Sequence, residues 1–163
     1  MRPLPENKLD PRVKNVWRIN DGIWITLVCG LVVGMVQLLR LLSAHSDLVG
    51  ALTLAGGVAW VVLMVLWLVV LPPIRYVRWR YQITDDYLDI ARGIVWRKRF
   101  VIPFIRVQNT DTRQGPILRL FGLASVTVST AAGRHEIPGL DAAEADVLRD
   151  KAAELARIAR EDV

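Results

Sequence analysis

The sequence has very few of the side chains that build disulfides and metal sites. Its 163 residues include one cysteine, Cys29, and two histidines, His45 and His135. A lone cysteine excludes an intrachain disulfide and any metal site that needs two thiolates. Neither histidine has a metal-binding neighbour at a useful spacing. We therefore expect no metal ion and no cofactor.

Motifs for catalysis are also scarce. No glycine-rich phosphate loop is present, and residues 122–126 lack the second glycine of a nucleophile elbow. The adjacent pair Asp85 and Asp86 falls in a turn signal. We expect that the protein is not an enzyme. The alternative is a small membrane enzyme with dispersed catalytic residues, for which His135 and Asp111 are the polar positions to test.

Charge is absent from residues 48–71, where Thr53 is the only hydroxyl side chain. As a helix this stretch would be about 36 Å long, enough to cross the roughly 30 Å hydrocarbon core of a bilayer. Residues 23–42 form a second apolar run, with Gln37 and Arg40 near its end. A cleaved signal peptide is disfavoured because another span follows at once. We predict a transmembrane hairpin over residues 23–71, with helices at 23–42 and 48–71.

Basic residues flank this hairpin on one side only. The link at residues 43–47 has no Lys or Arg, whereas residues 1–22 carry five and three arginines follow the second span. The positive-inside rule places both termini in the cytoplasm of a plasma-membrane protein. Residues 1–22 are expected to be a cytoplasmic arm whose prolines keep its front extended and mobile.

Small residues recur every four positions in both apolar runs. Such stripes let helix backbones approach closely in lipid. They are expected to hold the hairpin together or, alternatively, to join two protomers as a homo-oligomer. The residues are Gly30, Gly34, Ala51, Ala55 and Ala59.

The hydrophobic period changes to two after Pro72 and Pro73, which we expect to end the second helix. Residues 75–163 then predict short antiparallel strands and an amphipathic helix whose N-cap is Asp141, with Glu144 at N3. The fold class is a membrane α-hairpin followed by a small antiparallel β-sandwich or barrel, capped by a C-terminal α-helix. Strands are expected at 75–83, 88–90, 94–102 (with Ile94 and Trp96 on its inward face), 105–112, 123–130 and 135–137.

The segment IPFIRVQNTDTRQGPILRLFGLASVTVSTAAG at residues 102–133, with IPGL at residues 137–140, resembles the bacterial pleckstrin-homology (PH) domain of the YdbS-like membrane proteins. The resemblance covers the chain from about residue 15 to 160. It implies a PH-like fold, a membrane-tethered binding or assembly role and no established catalytic site. It also implies a membrane protein partner, such as a larger multi-domain PH-like relative.

Three surfaces of the soluble part have functional potential. The first two are basic and would contact membrane lipid or an acidic partner. The alternative is that these basic residues only set the membrane topology or keep a strand face solvated. The third is apolar and would either cap the sandwich core or contact a partner. They are the junction Arg75, Tyr76, Arg78, Trp79 and Arg80; the strand residues Arg97, Lys98 and Arg99; and the turn Ile117, Leu118, Leu120 and Phe121.

These surfaces lead to one expected function and one alternative. We expect a PH-like binding or scaffold module, tethered at the cytoplasmic face, that organises or recruits a membrane protein complex. The alternative is sensing of anionic lipid by the same domain. We expect no nucleic-acid binding, because residues 75–163 carry 15 Lys and Arg against 12 Asp and Glu, a scattered net charge of only +3.

Overall fold

The computed structural model describes residues 4–42 and 46–161 and has two units. One unit, which we call the lobe, contains residues up to Val16 and from Pro73 onward. The other, the helical unit, is Trp17–Pro72. The predicted link at 43–47 falls largely outside the described residues, which resume at Ser46 as the first residue of a helix.

Two long apolar helical stretches are present, as predicted. Helix α1 is Val13–Leu42 and α2 is Ser46–Val65, followed by a π-helical turn, Leu66–Val70, and by α3, Leu71–Arg78. The segments Val13–Leu39 and Gly50–Arg78 are long and apolar enough to cross a membrane, with hydropathies of 2.2 and 2.6. Within the most apolar 18 residues of each segment the protein buries almost no side chain, as lipid-facing helices require.

Pro72 and Pro73 lie inside helical structure, so the prediction that they end the second helix is wrong. They occupy the first turn of α3, where a missing N–H costs the fewest hydrogen bonds. The preceding π-helical turn, closed by the Leu71 N–H on the Leu66 carbonyl, accommodates them. The strand predicted over residues 75–83 is consequently shortened to Arg80–Ile83.

The two long helices contact each other through polar and branched side chains. Gln37 Nε2 donates to Thr53 Oγ1 at 3.1 Å, and a Cβ added at Gly56 would lie 3.8 Å from Val33. A Cβ at Gly30 or Gly34 would meet nothing within 4 Å. Ala51, Ala55 and Ala59 are likewise exposed. The predicted small-residue stripe therefore does not hold the hairpin together, because the Gln37–Thr53 bond turns other helix faces inward.

The lobe contains two antiparallel sheets, which confirms the predicted fold class. The first has strand order β1-β2-β3 and the second β4-β5-β6. A short helix precedes β5, and a long helix ends the described chain. The bounds are β1 Arg80–Ile83, β2 Tyr87–Arg92, β3 Lys98–Pro103, a 3₁₀ turn Phe104–Arg106, β4 Val107–Arg113, α4 Pro116–Leu120, β5 Leu123–Thr130, β6 Gly133–Asp141 and α5 Ala142–Glu161.

Helix α5 begins as its capping residues predict. Asp141 Oδ1 accepts the Ala143 N–H at 3.1 Å, which satisfies a free donor of the first turn. Glu144 has a different role, because its Oε1 accepts the hydroxyl of buried Tyr81 at 2.9 Å. Burial, together with this hydrogen bond, raises the pKa of Tyr81 well above its usual range, so the phenol stays neutral. The Tyr81–Glu144 hydrogen bond connects β1 to the start of α5.

The N-terminal segment, residues 5–16, packs within the lobe. Leu9 and Val13 are 2% and 0% exposed, and Asn7 exchanges backbone hydrogen bonds of 3.0 and 3.1 Å with Tyr81 at the edge of β1. Residues 5–16 of the predicted arm therefore belong to the lobe and do not form a separate arm. The apolar spacing of Leu9 and Val13 drives their burial in the core, and Asn7 covers part of an open sheet edge.

Arg12 fixes this segment to two distant parts of the lobe. Its Nη2 lies 2.9 Å from both Asp10 Oδ2 and Asp141 Oδ2, and its Nη1 donates to the Phe121 carbonyl at 3.1 Å. Hydrogen bonds from Arg12 lower the pKa of both carboxyl groups. Both therefore remain charged in mildly acidic solution, and the cluster stays intact.

The N-terminal segment packs on an irregularity in β6. Between Ala124 and Val126 the register with β6 shifts, and Gly139 there adopts a φ of +62°. A Cβ at Gly139 would lie 2.1 Å from Val13 Cγ2. The strand continues past Pro138, where the sequence predicted its end, because an edge strand tolerates the missing donor.

Replacing Gly139 tests this packing. We expect Gly139→Ala to lower the free energy of unfolding by about 2–4 kcal/mol, since it adds a steric clash to left-handed strain. The matched control is Gly122→Ala: its φ is +65° but the nearest atom is 3.7 Å away, so only the strain of about 1 kcal/mol remains. Thermal and denaturant unfolding of the full chain in detergent measures both. Equal losses would contradict the docking of Val13.

Candidate binding surfaces of the lobe

The three basic residues at the start of β3 have different environments. Asp89, whose side chain is 4% exposed, accepts two hydrogen bonds of 3.0 Å from Arg99 Nε and one of 2.5 Å from Nη2. Those bonds raise the pKa of Arg99. Arg97 and Lys98 are exposed, and in the described part of the chain neither has an ion pair or hydrogen bond. Arg99 therefore stabilises the lobe, and two cations remain available for a ligand.

The residues of the basic junction also differ in how exposed they are. Arg75 and Arg78 are exposed on α3, while Tyr76 has its ring 5.0 Å from Lys14 Nζ. Trp79 is only 3% exposed, so the prediction that it belongs to a binding surface is wrong. Because α3 ends at Arg78, Trp79 turns into the core, and Arg80 Nη1 folds onto its carbonyl at 3.1 Å.

The apolar turn, now α4 with Phe121, is only partly exposed. Ile117, Leu118 and Phe121 are half-buried, whereas Leu120 is 75% exposed. The Phe121 carbonyl also accepts a hydrogen bond from Arg12. Most of the apolar side chains of this turn therefore pack within the lobe, and Leu120 is the one large apolar side chain among them that is strongly exposed.

The structure reveals an exposed apolar tip that the sequence analysis missed. Residues 93–97 form a loop between β2 and β3, so the third strand begins at Lys98 rather than at residue 94. Val95 and Trp96 are 82% and 81% exposed at this tip. Trp96 was predicted to lie on an inward strand face. Gly93 was the hint available in the sequence, because it starts the loop that moves Trp96 out of the strand.

A groove of about 390 Å³ lies between β4 and the last turns of α5. Gln108 and Asn109 line one wall, and Ala153 and Ala156 lie on the other. Arg160 closes one end by donating to the Val107 carbonyl. Sequence reasoning could not find this groove, because it depends on the pairing of a strand with a helix far along the chain.

His135 and Asp111, the two polar positions suggested for a dispersed active site, contact different residues. The His135 ring lies 4.9 Å from that of Phe100, and burial, with the charge of Arg92, lowers its pKa. Asp111 accepts the Asn109 amide at 2.9 Å. Among residues 4–42 and 46–161, no three His, Cys, Asp or Glu side chains are placed to hold a metal ion.

The geometry and the sequence lead to one family. The sequence model of the bacterial PH domain matches residues 24–156. The chain belongs to the bacterial PH domain family. The match includes much of the two apolar helices as well as the sheets, so the resemblance found in residues 102–140 is confirmed.

Two relatives of the chain come from Bacillus subtilis (strain 168). The chain is 38% identical over 167 residues to the UPF0699 transmembrane protein YdbS, covering 100% of both proteins. It is also 33% identical over 81 residues to the UPF0699 transmembrane protein YdbT. This matched segment makes up 50% of this chain but only 16% of the YdbT protein. No solved structure has significant similarity to the chain. Both relatives' descriptions agree with the two apolar stretches found here.

The division of the basic residues predicts different effects of substitution. Asp89→Asn removes the charge that pairs with Arg99 inside the lobe, so we expect the Tm to fall by about 4 °C or more. Lys98 is the first residue of β3, and its side chain has no ion-pair or hydrogen-bond partner among the described residues. Lys98→Gln should therefore change the Tm by no more than about 1 °C. Differential scanning fluorimetry of the full chain measures both. Similar shifts for the two variants would contradict the division.

Proposed function

We propose that this chain is a membrane-tethered binding module whose bacterial PH lobe recruits or organises a membrane protein complex. The observation that carries this proposal is the groove along β4. The strand order β4-β5-β6 makes β4 an edge strand, and in the described residues no other strand pairs with its outer side. Such an edge offers backbone donors and acceptors to an added strand.

The groove favours an extended protein segment over a small molecule. The small side chains of Ala153 and Ala156 leave room beside the strand, and the groove is partly open to solvent rather than enclosed. Arg157 at the rim is neutralised by Glu154 at 2.6 Å and Glu161 at 2.7 Å. Backbone pairing along β4 would therefore supply the affinity, and side-chain pockets against α5 the selectivity.

A larger relative is the partner class we propose. The segment matched in the YdbT protein is a minor part of that protein, so a region similar to half of this chain also occurs inside a longer membrane protein. A partner of this kind would share the membrane with the chain, and the tether would raise the effective concentration of the lobe near it.

The topology we propose is a hairpin with both termini in the cytoplasm. The lobe includes residues on both sides of the helical unit, up to Val16 and from Pro73 onward. Two crossings return the chain to the side from which it started, so both parts of the lobe can meet. Five basic residues before the first span and three after the second favour the cytoplasmic side.

Site-specific crosslinking tests the groove. A photo-crosslinking amino acid at Gln108, used in native membranes, should yield an adduct with one membrane protein, whereas Glu136 on edge strand β6 should not. Ala153→Trp fills the groove and should lower the adduct yield about tenfold. The matched control Ala143→Trp, an exposed alanine outside the groove on the same helix, should leave the yield unchanged. Adducts insensitive to Ala153→Trp would overturn the proposal.

The lone cysteine simplifies a test of topology. In a Cys29→Ser background, a cysteine at Ala44 in the link should react with a membrane-impermeant maleimide in intact cells or spheroplasts. A cysteine at the exposed Lys151 should react only after the membrane is opened. Labelling of position 151 in sealed cells would exclude a cytoplasmic lobe.

A further inference from the structure

The tip of the β2–β3 hairpin exposes two large apolar side chains to solvent. Val95 and Trp96 are 82% and 81% exposed, more than any other large apolar side chain described in the lobe. Large exposed apolar groups that cluster at one point of a surface mark contact sites. In the hairpin below them, the Arg92 guanidinium lies 5.2 Å from the centre of the Phe100 ring.

The loop is built so that these side chains stay outside. Gly93 has a φ of +120°, and a Cβ there would lie 1.9 Å from the Trp96 carbonyl oxygen. The pairing of Arg92 with Lys98 closes the loop immediately behind the tip. A tight turn of this shape prevents Trp96 from folding back onto the strand face that its sequence pattern predicted.

The charge around the tip has one sign. The sequence from residue 90 to 101, IARGIVWRKRFV, contains four basic residues and no Asp or Glu. Arg99 is held by Asp89, but Arg97 and Lys98 are exposed beside the apolar pair without a partner in the described residues. Apolar side chains next to cations are suited to an anionic membrane surface, where the apolar groups enter the interface and the cations bind the headgroups.

We propose that residues 95–98 form a membrane-contact tip that inserts Val95 and Trp96 among the headgroups of anionic lipids while Arg97 and Lys98 bind their phosphates. Tryptophan prefers the membrane–water interface, and each cation near an anionic leaflet strengthens binding. Lipid is favoured over an acidic protein because the same chain carries two candidate membrane spans. The tether makes even a weak contact effectively intramolecular. This proposal is independent of the groove along β4.

The experiment uses the full chain, one copy per nanodisc. In a Cys29→Ser background, Val95→Cys carries an environment-sensitive fluorophore, and Val147→Cys, a 68% exposed valine on α5, is the matched control. In phosphatidylcholine with phosphatidylglycerol, the label at position 95 should shift to shorter wavelength. Its quenching constant with an aqueous quencher should also be about threefold lower than the constant measured in phosphatidylcholine alone. The label at position 147 should respond equally in both.

Two further measurements keep the test decisive. The Arg97→Gln/Lys98→Gln pair should abolish the difference between the two lipid mixtures, whereas Arg113→Gln/Arg134→Gln, two exposed arginines elsewhere on the lobe, should preserve it. Equal quenching at positions 95 and 147 in anionic nanodiscs would overturn the proposal. So would protection of position 95 that appears in detergent and grows with protein concentration, because that result would indicate contact between copies of the chain.

Discussion

The close approach of Val13 to Gly139 determines how the lobe is assembled. Only a residue without a Cβ can adopt the left-handed conformation of Gly139 and leave room for the Val13 side chain. The Asp10 N–H then reaches the Gly139 carbonyl at 3.1 Å, and Arg12 reaches Asp141. The N-terminal segment, β6 and the start of α5 thus form one packed region.

This packing makes the helical unit an insertion within the lobe rather than a preceding tail. The residues on both sides of the helices belong to one core, in which Leu9 and Val13 are as buried as Ile137 and Leu140. The lobe is therefore joined to the apolar helices at two points. Two covalent connections limit how far the lobe can move from the lipid more than a single linker would.

Local patterns predicted much of the fold. Residues 124–129 alternate strictly between apolar and hydroxyl side chains and lie in β5, Asp141 caps α5, and the two apolar stretches form long helices. In each case the deciding interactions lie within a few residues of each other along the chain. Periodicity and capping describe such interactions well.

The predictions that failed depended on interactions that adjacent residues do not determine. Pro72 and Pro73 remain helical because the preceding turn changes to π-helical geometry. Residues 5–16 become part of a core through Gly139, which lies far along the chain. Arg97 and Arg99 look alike in sequence, but only Arg99 has a buried carboxylate opposite it, on the paired strand β2. The groove and the loop tip likewise depended on strand pairing that the sequence did not specify.

The separation between Arg12 and Asp141 also constrains how the protein is made. These residues are 129 positions apart, and both candidate spans lie between them. The first part of the lobe therefore leaves the ribosome long before its partners are synthesised, and it must wait while the intervening helices enter the bilayer. Completion of the lobe is thus a late event in biogenesis, and a chain whose spans failed to insert as a pair would leave Leu9 and Val13 uncovered for quality-control proteases.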